Sequence, residues 1–281
     1  MSTETENLTK KSGVDNDQTS VTIAHLSDLH AGSSYFIPNL LKQAVDEINR
    51  LSPDIVVVTG DLTDAGFRQE YKTAKTFLDM LECENVVVIP GNHDSRNVGY
   101  IHFEELFGLR NNILKIPGVT IVGLDTSEPD LDGGRIGRER YRWLEEHFSI
   151  TDGIKILALH HHLLPVPGTG RERNVCYDAG DALQVLTRTG VDLVLSGHKH
   201  VPHVWRLEDL VVSTAGTTSS LRIRGKVKPC YNVVMLEGKR MRIYRKYPFA
   251  GQDLIVDLML NEKRHCKWDR VEAELGVRPN Q

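Results

Sequence analysis

Cysteine is scarce in this chain, with four among 281 residues, at positions 83, 176, 230 and 266, and no CxxC pair. That spacing argues against a zinc knuckle or a redox motif, and it points to reduced thiols in a cytoplasmic protein. Aromatic residues make up only 6% of the chain. Neither sign of charge dominates: 34 Lys and Arg stand against 38 Asp and Glu, a formal net charge of −4. A strongly basic nucleic-acid binder is therefore not the default expectation. Phosphate-bearing substrates stay open, because a bound metal brings its own positive charge. No apolar run approaches the roughly 18 residues that cross a bilayer, so no membrane partner is expected. The first nineteen residues, MSTETENLTKKSGVDNDQT, lack the apolar stretch of a secretory signal. Segment 1–20 is polar and is expected to be a disordered tail. What the chain does have is a 40% hydrophobic share, enough for a globular core, and 12 His.

From Val21 onward, short apolar runs alternate with amphipathic stretches. VTIAHLS, IVVVTG, VVVIPG, VTIVGLD, IKILALH and VDLVLSG are largely β-branched and uninterrupted, as strands buried on both faces must be. Pro38 to Leu51, Gln69 to Leu81 and Gly137 to His147 carry apolar residues on one side and predict crossover helices. After Gly197 the segments HVWRL, LVVSTAG, CYNVVML and RMRIYRK follow closely and predict an antiparallel meander. The class is α/β, with one domain over 21–247 and a C-terminal extension, 248–281, packed on it or continuing it.

The predicted strands end unusually. VTIAHLS runs into Asp28-Leu29-His30, and IVVVT into Gly60-Asp61-Leu62-Thr63-Asp64. VVVIP runs into Gly91-Asn92-His93-Asp94, IKILAL into His160-His161-His162, and VDLVLS into Gly197-His198-Lys199-His200. Ligands of open α/β sheets bind beyond the carboxyl ends of the strands. An Asp-x-His or a Gly-Asp alone is a common turn. Five such ends that deliver Asp, Asn and His to one rim are a specific signal.

In this order the motifs D-x-H, GD-x-x-D, GNHD, H and GH-x-H resemble the calcineurin-like metallophosphoesterase superfamily. The likeness runs from Asp28 to His200 and looks strongest to class III cyclic nucleotide phosphodiesterases. It implies a four-layer α/β/β/α sandwich of two mixed sheets flanked by helices. It also implies two divalent metal ions, one on Asp28, His30 and His200, the other on Asn92, His160 and His198, with Asp61 bridging. Carboxylate, imidazole and amide ligands suit Mn²⁺, Fe²⁺/Fe³⁺ or Zn²⁺. His160 is chosen within its triplet because it follows the apolar run directly. His161 or His162 takes its place if the strand ends later, and otherwise both read as a polar loop facing solvent or substrate. The implied reaction is attack of a metal-bridging hydroxide on a small phosphodiester. His93 would protonate the leaving alkoxide and Asp64 would orient His93. Asp94 reads as a turn aspartate. His25 reads as a core or rim histidine, and His102, His147 and His265 as surface residues. His203 reads equally as a pocket or a strand residue.

The substrate is less legible. Arg171 and Arg173, then Arg222 and Arg224, could hold phosphate or be solvated, and Thr217 to Ser220 could add hydroxyl donors. LLPVPGTGRERN predicts an irregular rim loop, a lid or dimer arm. A cyclic nucleotide is one candidate substrate. Alternatives within the superfamily are a nuclease, disfavoured by the charge balance, and a nucleotide-linked lipid pyrophosphohydrolase. An alternative of another kind is a non-catalytic scaffold, disfavoured by the complete ligand set. An exposed edge in the last strands would allow a homodimer.

Overall fold

The structure, a computed structural model, describes residues 20–150, 152–169, 174–224 and 227–260. The expected tail before Ser20, Arg171, Arg173, His265 and the last 21 residues lie outside the described residues. The chain runs β1 (Ser20–Leu26), α1 (Pro38–Leu51), β2 (Ile55–Thr59), α2 (Arg68–Leu78), β3 (Val86–Ile89) and α3 (Gly99–Phe107). It continues β4 (Asn112–Ile116), β5 (Val119–Leu124), α4 (Arg138–Ser149), β6 (Ile154–Leu159), α5 (Ala179–Thr189) and β7 (Leu193–Ser196). The last part is β8 (His203–Leu207), β9 (Leu210–Thr214), β10 (Tyr231–Glu237), β11 (Arg240–Lys246) and β12 (Gln252–Met259).

Two six-stranded sheets result, in the orders β12-β11-β10-β1-β2-β3 and β4-β5-β6-β7-β9-β8. Both are mixed. β1, β2 and β3 are parallel, as are β5, β6, β7 and β9, while β10, β11 and β12 add antiparallel strands to the first sheet. Alternation along a strand sends its side chains into two cores. Ile23, Ile55, Val57, Val87 and Ile89 of the first sheet meet Ile121, Ile156 and Leu195 of the second between the sheets. Their neighbours Ala24, Leu26, Val56 and Val58 face outward, against Leu41, Val45 and Ile48 of α1, Tyr71 and Ala74 of α2 and Phe103 of α3. Leu144 and Phe148 of α4 and Ala182 and Leu186 of α5 belong to the second sheet's cluster. The outcome is the α/β/β/α sandwich. Each buried Leu, Ile or Phe contributes about 1.5–3 kcal/mol, so both faces of the central strands had to be apolar.

The predicted meander splits. β8 and β9 join the second sheet, with β9 parallel to β7, whereas β10, β11 and β12 join the first. Strand patterning says which residues alternate, not which edge accepts them, and the connection from Thr214 to Tyr231 crosses between the sheets. It passes over the end of β1, where the backbone N–H of Thr218 donates to the carbonyl of Ser27 at 3.0 Å. β12 pairs with β11 along its length, so this part of the C-terminal stretch extends the sheet. Among the described residues no helix is long and apolar enough to cross a membrane. The described cysteines, Cys83, Cys176 and Cys230, are free thiols.

Candidate metal centre

The parallel strands β1, β2, β3, β6 and β7 deliver the five motifs to one edge of the sandwich. The chain turns sharply there. Asp28, His30, Asp61, His198 and His200 all take positive φ, 54°, 52°, 51°, 77° and 57°. A non-glycine residue held in that region costs about 1–3 kcal/mol and persists only where its surroundings over-determine it. The surroundings do so here. Asp28 N–H donates to the Gly60 carbonyl at 3.0 Å, His30 N–H to that of Asp61 at 2.9 Å, and Gly197 N–H to that of His160 at 3.0 Å. Two motif glycines are explained by close approach. A Cβ on Gly91 would strike the Asp61 carboxylate and lie 2.5 Å from its backbone nitrogen. One on Gly197 would strike Ser27 Oγ and lie 2.5 Å from Asp28 Oδ2.

Two groups of metal-competent side chains face each other across Asp61. In the first, His30 Nε2 lies 2.8 Å from His200 Nε2, and Asp28 Oδ1 lies 3.3 Å from His200 Nε2 and 3.9 Å from His30 Nε2. In the second, Asn92 Oδ1 lies 3.1 Å from His160 Nε2 and 2.9 Å from His198 Nδ1, and those two nitrogens are 3.2 Å apart. Asp61 Oδ2 reaches both, 3.8 Å from His30 Nε2 and 3.4 Å from His160 Nε2. All these residues are buried except His198, which is partly covered.

The donor set fits two divalent cations. His160 Nδ1 donates to the Thr59 carbonyl at 2.7 Å, and His200 Nδ1 to the Arg222 carbonyl at 2.5 Å. A carbonyl only accepts, so Nδ1 of each ring carries a proton and Nε2 faces the centre, where a bound cation would take its lone pair in place of a proton, as metal-binding imidazoles are held. Two carboxylates supply the negative charge that a pair of cations would offset. Charge coupling is strong in this buried pocket. Burial works against ionised Asp61, yet the His160 and His93 rings outweigh it and hold the carboxyl well below its usual range. Burial likewise works against a charged His160, but Asp61 beside it raises the imidazole to about 9. Burial dominates for His30, which drops to about 3 despite Asp61 and Asp28.

A family model for calcineurin-like phosphoesterases matches residues 21–202. The chain belongs to that family. Its members are phosphoric ester hydrolases that work with two metals. A probable glycerophosphodiester phosphodiesterase, GpdQ, of Arcobacter nitrofigilis is 32% identical over 50% of this chain, and the match spans 56% of that protein's length. A cAMP/cGMP dual specificity phosphodiesterase of Mycobacterium tuberculosis is 30% identical over 63% of this chain and 59% of its own length. A dimetal phosphatase of Danio rerio, 14% identical, superposes with a TM-score of 0.65 over 85% of this chain and 98% of the other. The purple acid phosphatase of yellow lupin superposes with a TM-score of 0.68 at 13% identity, over 86% of this chain and 54% of the other, which speaks for the fold.

Around this phosphoesterase centre, several residues play parts their sequence context did not reveal. His93 Nδ1 donates to the backbone carbonyl of Asp64 at 2.5 Å, while the Asp64 carboxylate stands 3.8 Å away. So the Asp64 contact that the resemblance placed on the carboxylate is made by the main chain. Asp94 caps the loops, accepting from Gly91, Leu62 and Thr63 N–H at 2.9, 3.0 and 2.9 Å. His161 and His162 do not face solvent. Both are fully buried, with the His161 ring 5.1 Å from that of His160 and 4.7 Å from that of His198. His161 Nδ1 meets Thr126 Oγ1 at 2.8 Å and Nε2 the Asp132 carbonyl at 3.3 Å, so neither nitrogen is turned to a ligand. His25 is buried against Thr59 Oγ1 at 2.9 Å, and His203 packs edge-on to Trp205 on β8.

The Thr217–Ser220 hydroxyls are buried rather than offered to a substrate. Thr217, Thr218 and Ser219 donate to the carbonyls of Asp28, Ser27 and Leu29 at 2.7, 3.1 and 3.0 Å. The left-handed turn at Asp28 strands those carbonyls, and the crossing segment satisfies them. A run of four hydroxyl residues after a strand was the one sequence signal for this. Arg222 is half exposed, 3.8 Å from Asp64 Oδ1, and its carbonyl holds His200; Arg224 is exposed.

Proposed function

We propose that this phosphoesterase hydrolyses a small phosphodiester, a cyclic nucleotide being the favoured class. One metal ion, Mn²⁺, Fe²⁺/Fe³⁺ or Zn²⁺, would be held by Asp28, His30 and His200, and a second by Asn92, His160 and His198, with Asp61 shared. Bound there, two such ions supply about four positive charges against an anionic ester and acidify water. The observation that carries this reading is Asp61 itself, a buried carboxylate within 3.4 Å of one imidazole group and 3.8 Å of the other.

The protein's own residues do the rest. The Thr59 and Arg222 carbonyls fix His160 and His200 in the metal-binding tautomer. The Asp64 carbonyl holds one proton of His93 on Nδ1, so the proton given to the departing alkoxide is a second one, carried on Nε2 of the imidazolium, and the ring is left neutral with its proton on Nδ1. The identity of the relatives, a glycerophosphodiesterase and cyclic nucleotide phosphodiesterases by name, agrees with a diester substrate. The free thiols agree with a cytoplasmic setting.

A panel assay with Mn²⁺ tests the reading. It compares kcat/KM for 3′,5′- and 2′,3′-cyclic nucleotides, glycerophosphodiesters, nucleotide sugars and single-stranded DNA. We expect the cyclic nucleotides to lead and His93→Ala to slow them by a factor of about 10²–10⁴. Single-stranded DNA as the best substrate would overturn the substrate class. Purified protein that takes up no Mn²⁺ or Fe²⁺ on reconstitution would overturn the whole reading.

A further inference from the structure

Arg96 lies outside the ligand set, yet its guanidinium is built into the centre. Arg96 Nη1 is 3.1 Å from His93 Nδ1, and Nη2 is 2.6 Å from Asp132 Oδ1. The turn that places it is strained. Asn97 and Val98, directly after Arg96, take φ of 49° and 57°. Val98 is β-branched, for which this region is a genuine outlier. The turn is held by Asn97 N–H on Asp130 Oδ1 at 3.0 Å, Asn97 Nδ2 on the Ala65 carbonyl at 3.0 Å, and Asp130 N–H on the Ser95 carbonyl at 3.4 Å. Two of these three contacts come from Asp130, so the 127–135 segment grips the turn after His93 and presents Asp132 to Arg96.

The Nδ1 proton of His93 is already committed to the Asp64 carbonyl, so the guanidinium cannot donate to the same nitrogen. It stands instead as a flat, fixed group against the ring edge, where rotation of the ring away from Asp64 would have to pass it. We propose that Arg96, clamped by Asp132, is a positioning residue that locks the His93 ring with Nδ1 on the Asp64 carbonyl and Nε2 toward the leaving group. This inference rests on the proton-donor reading of His93.

The test uses the full chain loaded with Mn²⁺, and the variant Arg96→Met keeps the side chain's length without its planar charge. With a 3′,5′-cyclic nucleotide, whose leaving group is an alkoxide, kcat falls about 10–100-fold while KM stays near wild type. With bis(p-nitrophenyl) phosphate, whose leaving group needs no proton, kcat barely moves. Placed on His93→Ala, Arg96→Met costs nothing further, because residues that act as a unit are not additive. Asp132→Asn gives a weaker version of the same pattern. A readout apart from activity is the ¹⁵N–¹H spectrum of the imidazoles in metal-free protein, where the His93 Nδ1–H signal weakens in Arg96→Met. Equal losses on both esters, a change in KM alone, additivity with His93→Ala or an unaltered His93 ring signal would each overturn the proposal. If His93→Ala itself fails to separate the two esters, the proton-donor reading falls, while the ring signal still decides whether Arg96 fixes His93.

Discussion

Gly91→Ala adds a single methyl to the loop between β3 and Asn92. Gly91 has no need of glycine's backbone freedom, since its φ is not positive. The cost is therefore steric alone. The new carbon would lie 2.5 Å from the Asp61 backbone nitrogen and 2.8 Å from His160 Cε1, and it would overlap the Asp61 carboxylate. Two of these neighbours are buried side chains of the candidate centre and the third is main chain, so none can swing aside as a flexible surface group would. Overpacking of this kind costs about 1–3 kcal/mol. For a domain of this size that lowers Tm by about 2–12 °C. The displaced atoms belong to the shared carboxylate and to the imidazole nearest it. Metal uptake should thus suffer more than the fold, with affinity for the second ion down about 10–100-fold. Metals per chain by elemental analysis, set beside thermal unfolding of metal-free protein, separate the two effects. A Gly91→Ala protein that keeps two metals per chain and wild-type kcat/KM would refute the claim that the motif glycine exists to let Asp61 and His160 approach.

Two further predictions concern the scaffold. Thr217→Val removes the hydroxyl that serves the Asp28 carbonyl, and leaving that buried acceptor unpaired should cost about 1–3 kcal/mol by denaturant unfolding, with metal affinity reduced. No change in either would mean that the Asp28 turn holds itself. Asp178 ties the start of α4 to the start of α5, accepting from Ile136 N–H, Gly137 N–H and the Tyr141 hydroxyl at 3.0, 2.7 and 2.7 Å. Burial works against its charge, but these donors outweigh it and hold the carboxyl below its usual value. A depressed folded value contributes stability that is present above the unfolded pKa of about 3.9 and is lost as pH falls through the folded one. Asp178→Asn should therefore cost about 1 kcal/mol at pH 7, allowing for a half-exposed carboxylate, with the gap to wild type closing below about pH 4. A gap that does not narrow at all as pH falls below about 4 would show that the side chain's shape, not its charge, matters.

The sequence by itself determined the core strands and the ligand types. Short, largely apolar runs such as IVVVT and IKILAL, bounded by turn residues, read as strands covered on both faces. The Asp, Asn and His that follow them are fixed at the strand ends by adjacency alone. α3, α5, β4 and β12 were not legible. Their apolar patterns are short or mixed, and packing against neighbours, not local preference, makes them regular. Only the tertiary structure decided which sheet β8, β9 and β10 to β12 would join, because alternation carries no address. It also decided the roles of His161, Arg96, the Asp64 carbonyl and the Thr217–Ser219 hydroxyls. Each depends on a partner 29 to 191 positions away, several of them on a main-chain atom. A main-chain atom is the same in every residue, so no side-chain pattern can announce it. The motifs named the groups that could hold metal. The left-handed turns, and the hydrogen bonds that sustain them, aimed those groups at common points.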